Sequence, residues 1–413
     1  MKGLTIFFTV VTSFSQAQSI LPGWQEGYLD IHHISTGSGN ATLFIFPDGT
    51  TLLFDAGEVD RKARMGTPNP LKISPHLPHD SISAGRGIAR YAKGVLPSIS
   101  SIDYAIISHF HSDHYGSVTP QSKLSTHGDY YLSGISEVNE YLPIHQLIDR
   151  DYPLYNYPVD LKANVFDKES FENYLKFVNS QVAKKILLAS ALAPGSKTQI
   201  RLKINPAKYP TFFVQNIKSN GDLWLGTGTS FANLMPPSIP LSEYNENPLS
   251  IALKVSYGRF DYFIGGDMTG LQGFGLPVWF DMETPVARVV GKIEALTLNH
   301  HGVRDASNEA FMKALAPQVI VQQSWSSNHP GEEVLHRIIS PYTYPGKRDI
   351  FATYIHEETI ATYGRWLEEN YRSKHGHIVI RVSPGGDEFY VHILDDTAVN
   401  PQVIKTFGPY PSN

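Results

Sequence analysis

Apolar positions along the chain fall into short runs separated by polar turns rich in glycine and proline, and most runs have the length and spacing of strands. Residues 28–34 and 41–46 predict two strands around the polar turn 35–40. Pro47-Asp48-Gly49 then turns the chain into a third strand, 51–54, which ends at Asp55. A polar loop covers 58–83. Helical spacing follows over 84–95, and 102–108 is a continuous apolar strand. Further on, the spacing predicts helices over 134–141, 168–188, 283–290, 308–315 and 332–339. It predicts strands over 144–148, 212–225, 250–264, 295–298 and 319–322. A closing hairpin, 378–382 with 388–394, turns at Pro384-Gly385-Gly386. Strands alternating with helices predict an α/β fold around a sheet core. No Gly-, Ser- or Pro-rich linker divides the chain, so residues 18–413 read as one domain with an insertion at about 152–245.

Composition narrows this picture. The 413 residues are long enough for a full core, and only 18% are charged, with no low-complexity tract, which excludes a disordered chain. There are no cysteines, so disulfides, thiolate ligands and a cysteine nucleophile are excluded, and any metal must be held by nitrogen and oxygen. Net charge is -5, and basic residues cluster only between Lys184 and Lys208, which reads as a solvated face. A long nucleic acid needs an extended positive track, so none is expected as a partner. Gly37-Ser38-Gly39 precedes a strand instead of a helix and is not a nucleotide loop. Lys2, the apolar run 4–11 and Ser15-Gln16-Ala17 read as a signal peptide over 1–17, cleaved before Gln18. No later run reaches membrane-spanning length. The mature chain is therefore expected to be secreted or periplasmic.

The chemistry concentrates in "IISHFHSDHYGS", residues 106–117. His109 and His111 alternate along extended chain and can face one ion, while Asp113 and His114 sit where the chain turns toward a helix and can face a second. Imidazole nitrogen with carboxylate oxygen suits a hard or borderline divalent ion.

His-x-His-x-Asp-His after an apolar strand resembles the signature of the metallo-β-lactamase superfamily of binuclear metallohydrolases. "LDIHHISTGSGNATLFIFPDGTTLLFDAG" is similar to that superfamily's opening hairpins, "YFIGGD" to its strand before a bridging aspartate, and "LTLNHHG" to its last ligand strand. With "NHPGEEVLHRI", these stretches most resemble the branch holding the hydrolase domain of competence DNA-uptake channel proteins and secreted phosphorylcholine esterases. The resemblance implies a four-layer αββα sandwich with metals at one edge. It implies His109 and His111 as ligands of a first metal, Asp113 and His114 of a second, and Asp267 as the bridge. His301, before Gly302, fits the last ligand better than His300, which is left to polarise substrate or to support a ligand. Asp55 would accept a ligand histidine's N–H and fix its tautomer.

One ligand of the pattern is missing. The superfamily's third histidine for the first metal belongs on the strand "IHQLIDRDYP". His145, Leu147 and Asp149 share a face there by period two, and ligands lie at strand ends. Asp149 is therefore the expected substitute, with His145 second; if neither binds, one metal remains. His329 and His377 read as buried structural histidines. Zinc, two ions per chain, is the expected cofactor, with manganese or iron as alternatives. Asp113, Asp267 and His300 are the candidate catalytic groups. The expected activity is hydrolysis of a small-molecule or surface-attached phosphodiester or phosphocholine-type ester. The alternatives are a lactone or β-lactam amide hydrolase and a non-catalytic binding protein with a vestigial metal site.

Overall fold

Successive residues of a strand face opposite sides of its sheet, and in this chain both sides are apolar. Leu52 and Phe54 lie in one core cluster while Leu53 between them lies in another; Val319 and Val321 are likewise separated from Ile320. Sheets covered on both faces give near-continuous apolar runs, which is the pattern in the sequence. In a computed structural model, residues 19–62, 71–79, 81–271 and 275–413 are described. The expected signal peptide, residues 1–17, lies outside them.

Two sheets form. The first runs in spatial order β1 (Ser19–Ile20), β19 (Gln402–Pro411), β18 (Glu388–Leu394), β17 (His377–Val382), β2 (Leu29–His33), β3 (Thr42–Ile45), β4 (Thr51–Phe54), β5 (Ile102–Ile106), β6 (Ile144–Asp149), β7 (Leu188–Ala191). The second runs β10 (Phe231–Asn233), β9 (Asp222–Trp224), β8 (Phe212–Ser219), β11 (Ala252–Tyr257), β12 (Phe260–Ile264), β13 (Ala295–Thr297), β14 (Val319–Gln322), β15 (Asp349–Ala352), β16 (Tyr371–Ser373). Between the sheets lies a core that takes Ile31, Phe44 and Ile106 from the first and Val214, Leu253 and Tyr262 from the second. Helices Ala84–Val95, Gly134–Tyr141 and Lys168–Ala183 cover the outer face of the first sheet. Helices Glu283–Val290, Glu309–Leu315 and Glu332–Ile339 cover that of the second. The result is the four-layer αββα sandwich that the resemblance implied. Among the described residues no helix is long and apolar enough to cross a membrane.

Strands β4 to β7 are parallel to one another, as are β12 to β16. Their carboxyl ends bring Asp55, the 107–114 segment, Asp267 and the 299–302 turn to one edge of the sandwich. The 168–188 helix is shorter than expected. It ends at Ala183, the chain turns at Lys185 in the left-handed region (φ 57°), and Leu188 begins β7 against β6. Residues 212–225 and 250–264 each divide into two strands at turns containing Asn220 and Gly258. The 152–245 segment contributes β7 to one sheet and β8 to β10 to the other.

A buried histidine pair sits where β2 meets β17. The His33 ring lies between the Ile378 carbonyl and the Tyr262 hydroxyl (3.2 and 2.8 Å), and His377 Nδ1 accepts from Ser35 N–H at 3.0 Å. Burial, with His32 adding to it, pulls both imidazoles down to about 3. The unfolded chain therefore takes up these protons near pH 6.5 and the folded chain does not until about pH 3. Stability is full above pH 6.5 and falls with pH through that window by about 1.4 kcal/mol per pH unit for each histidine. Urea unfolding of wild type and His377→Asn at several pH values from 7.5 to 5 should show the shallower fall in the variant. Equal slopes would contradict this reading.

Candidate metal centre

The site is assembled from backbone outward. β5 delivers Ser108 and His109; the helix Ser112–Tyr115 then turns Asp113 and His114 inward. That turn packs against Gly57, where a Cβ would lie 1.6 Å from the Asp113 carbonyl oxygen, so no larger residue fits. β12 ends in Gly265-Gly266-Asp267; Gly266 has φ 54° and a Cβ there would press on Ser108. After β13, His300 and His301 are both left-handed (φ 47° and 54°). Such conformations cost about 1 kcal/mol or more for each non-glycine residue and concentrate at functional sites.

Two groups of potential ligand atoms result. One comprises Asp113, His114, Asp267 and His301, the other His109, His111 and Asp267, and within each group the atoms lie within 4.8 Å of one another. Asp267 belongs to both. His114 Nε2 is 3.1 Å from Asp267 Oδ1, and His301 Nε2 is 3.0 Å from Asp113 Oδ2 and 3.3 Å from Asp267 Oδ2. His109 Nε2 is 3.2 Å from His111 Nδ1 and 3.8 Å from Asp267 Oδ2.

Tautomers are set from behind. Asp55, itself left-handed at φ 63°, accepts from His114 Nδ1 at 2.7 Å and from Ser108 N–H and Oγ at 2.7 and 2.8 Å. His301 Nδ1 donates to the Gln323 carbonyl at 3.1 Å. Both rings therefore present Nε2 to the carboxylates.

The residues fit a divalent cation. His114 Nε2 and Asp267 Oδ1 are buried and face each other without hydrogen-bond geometry, so neither is satisfied by the protein. Burial, aided by neighbouring imidazolium charge, pulls His109 and His111 down, which keeps them neutral. Burial opposes charge on Asp113 and Asp267, but His114 above all more than offsets it and holds both carboxyls well below the usual range. On His114, burial is outweighed by Asp267, Asp55 and Asp113, which hold it well above the imidazole range. Neutral imidazoles and ionised carboxylates are the forms that ligate metals; the charge on His114 is the proton that a cation would displace.

Asp149 ends its strand as expected, but its carboxylate is turned to hydrogen-bond donors instead of a metal. Its Oδ1 accepts from the N–H groups of Asp151 and Tyr152 (2.9 and 2.7 Å). Its Oδ2 accepts from the hydroxyls of Tyr155 and Tyr174 (2.8 and 2.7 Å). With four donors on it, this carboxylate organises the 149–155 turn and does not join either ligand group. His145, the second choice, is exposed at the other end of β6 with Nε2 near Ser101 Oγ. His300 stands beside the cluster. Its Nε2 is 3.8 Å from Asp267 Oδ2, and its Nδ1 pairs with Asp305 at 2.6 Å. His329 is buried and stacks on His301 with ring centroids 4.6 Å apart, and its Nδ1 accepts from Trp325 N–H. A cavity of about 440 Å³ opens onto these groups, with Leu71, Phe166 and Trp325 on its walls. Sequence reasoning did not single out Glu246 or Asn247. They lie in "ENPLS", an irregular turn with no periodic or motif signal.

No family model matches the chain, and no curated protein matches it. Among the solved structures to which the chain is similar are CmlA, yeast PDE1 and a PhnP-family diphosphatase. CmlA, a diiron β-hydroxylase from Streptomyces venezuelae, is 11% identical over 87% of this chain, with TM-score 0.37; the match spans 55% of CmlA. Unliganded yeast PDE1 is 10% identical over 86% of this chain and 99% of its own, with TM-score 0.33. A diphosphatase from the PhnP family is 10% identical over 71% of this chain and 85% of its own, with TM-score 0.31. At such identities and scores, nothing about this chain's chemistry follows from them.

Asp149→Ala leaves the Tyr155 and Tyr174 hydroxyls without their acceptor, and a lost buried acceptor costs about 1–3 kcal/mol for each stranded donor. Urea unfolding should register a loss of that order, while metal content by mass spectrometry stays at the wild-type level. A fully stable variant that has lost metal would restore Asp149 as a ligand.

Proposed function

We propose that this chain is a metal-dependent hydrolase of the metallo-β-lactamase superfamily, acting on a phosphodiester or phosphocholine-type ester. The observation that carries this reading is the sharing of Asp267 between two groups of nitrogen and oxygen donors. A carboxylate has two oxygens and can serve both. Two divalent ions held by Asp113, His114, Asp267 and His301 on one side and His109, His111 and Asp267 on the other would supply hydroxide at neutral pH and would polarise the substrate oxygen. Zinc is our assignment for this N/O set, with manganese or iron as alternatives.

The chain's own groups divide the remaining work. Asp113 or Asp267 orients the nucleophile and accepts its proton. His300 stands beside Asp267 with its Nδ1–H on Asp305 and its Nε2 against the Asn247 amide, and so holds that side of the pocket in place. The apolar wall around Leu71, Phe166 and Trp325 limits water and accepts the carbon part of a substrate. A cavity of about 440 Å³ suits a small molecule or the exposed end of a surface-attached ester. The leader-like residues 1–17 support assigning the chain to the secreted or periplasmic space.

A substrate panel decides the ester class. Bis-p-nitrophenyl phosphate and p-nitrophenyl phosphorylcholine should be hydrolysed, activity should vanish on chelation, and zinc should restore it. Turnover of a lactone or a cephalosporin alone would move the chain to the carbonyl-substrate class. Metal-loaded protein that turns over nothing would leave only a binding role.

A further inference from the structure

The two ligand groups are unequal. Asp113, His114, Asp267 and His301 make four donors, whereas His109, His111 and Asp267 make three. Asp149 does not close the gap, because its oxygens are filled by donors from its own turn and by the Tyr174 hydroxyl.

Asn247 opens onto the same cavity as His111, Asp267 and His300 and is 7% exposed. Its Nδ2 lies 3.1 Å from His300 Nε2, the acceptor nitrogen of a ring whose Nδ1–H goes to Asp305. With His300 neutral, the amide nitrogen is the donor in that contact and Oδ1 is turned away from the ring. Its Oδ1 is left buried with no hydrogen-bond partner. Other amide oxygens among the described residues also lack a donor, Asn328 Oδ1 on the same cavity included, but Asn247 sits in the turn bonded to the His109–His111 segment and to Asp267. An amide oxygen is a hard neutral ligand of the type divalent cations take.

The surroundings hold Asn247 in place. Glu246 is gripped by buried Arg150 through Nε and Nη2, both at 2.6 Å. Glu246 Oε1 also accepts from Phe110 N–H at 2.8 Å, on the residue between His109 and His111. On the other side, buried Lys218 donates to the Pro248 and Ser250 carbonyls, and Ser250 Oγ accepts from Asp267 N–H at 3.1 Å. The turn carrying Asn247 is thus tied to every member of the three-donor group: to both histidines through Phe110 and to the bridging aspartate through Ser250.

We propose that Asn247 Oδ1 is the fourth protein donor of the His109–His111–Asp267 group, in place of a histidine. The proposal rests on the reading that the cluster holds metal. A neutral amide oxygen donates less strongly than imidazole nitrogen to a borderline ion, so this group is the weaker of the two and fills second.

Metal titration of apo protein tests this, with zinc against a competing chromophoric chelator as the probe. Wild type should show two separate affinities. Asn247→Ala should weaken the lower one by at least about 10-fold, the scale at which even supporting partners of ligands act, and leave the higher one unchanged. Asn247→Asp and Asn247→His, which keep a donor at the position, should recover or tighten it. Cobalt bound at the second equivalent should change its visible spectrum in Asn247→Ala. Thermal unfolding of each apo variant separates a fold defect from a lost ligand, and the near-isosteric Asn247→Asp covers the case in which Asn247→Ala does not fold. Wild-type affinities at both sites in Asn247→Ala would overturn the proposal, and so would lost turnover with unchanged metal binding, since Asn247 would then act on substrate. Two ions bound with the expected variant effects but no ester hydrolysis would uphold this proposal and sink the hydrolase reading alone.

Discussion

The structure depends on one buried carboxylate, Asp267, which lies within 3.1–3.8 Å of nitrogens on His114, His301 and His109. Taking a carboxylate out of water is costly unless it is paired or bound to a cation. The neighbours that offset the cost come from different sheets. His109 and His114 follow β5 of the first sheet, and His301 follows β13 of the second. Asp267 can be satisfied only if the two sheets stack in one register. The aromatic contacts between them, such as Phe44 with Tyr262 and Phe46 with Phe212, therefore position the centre as well as fill the core.

Around that carboxylate the backbone accepts conformations it would not adopt for packing alone. Asp55, His300 and His301 are left-handed, and Gly57 and Gly266 allow contacts no side chain would permit. The surrounding hydrogen bonds over-determine these positions. Asp55 is fixed by Ser108 and His114, and His300 by Asp305 and Asn247. Strain held in this way keeps the donors pointing inward before any ligand arrives, which lowers the reorganisation that binding requires.

Legibility from sequence follows from how local each feature is. The His109–His114 stretch is readable because its donors are consecutive and follow an apolar strand. The individual strands are readable because strands buried on both faces leave continuous apolar runs, whereas their arrangement as a sandwich came from the resemblance, and the 168–188 helix ran past its true end, where Lys185 turns left-handed and β7 begins. Asp267 and His301 follow His114 by 153 and 187 residues, and only resemblance brought them in. Asp149 lies outside both donor groups for a physical reason. Position at a strand end says where a carboxylate sits, but not that Tyr155 and Tyr174 will donate to it. Asn247 leaves no sequence signal, since its place is set by the ion pair of Glu246 with Arg150 and the buried Lys218.

Anomalous diffraction from crystals of zinc-loaded protein, recorded on either side of the zinc absorption edge, addresses the shared carboxylate most directly. The account predicts two anomalous peaks about 3.5–4 Å apart, one beside each Asp267 oxygen. The first would be contacted by His114, His301 and Asp113, the second by His109 and His111. A single peak away from Asp267, or Asp267 hydrogen-bonded directly to His114 with no metal beside it, would contradict it.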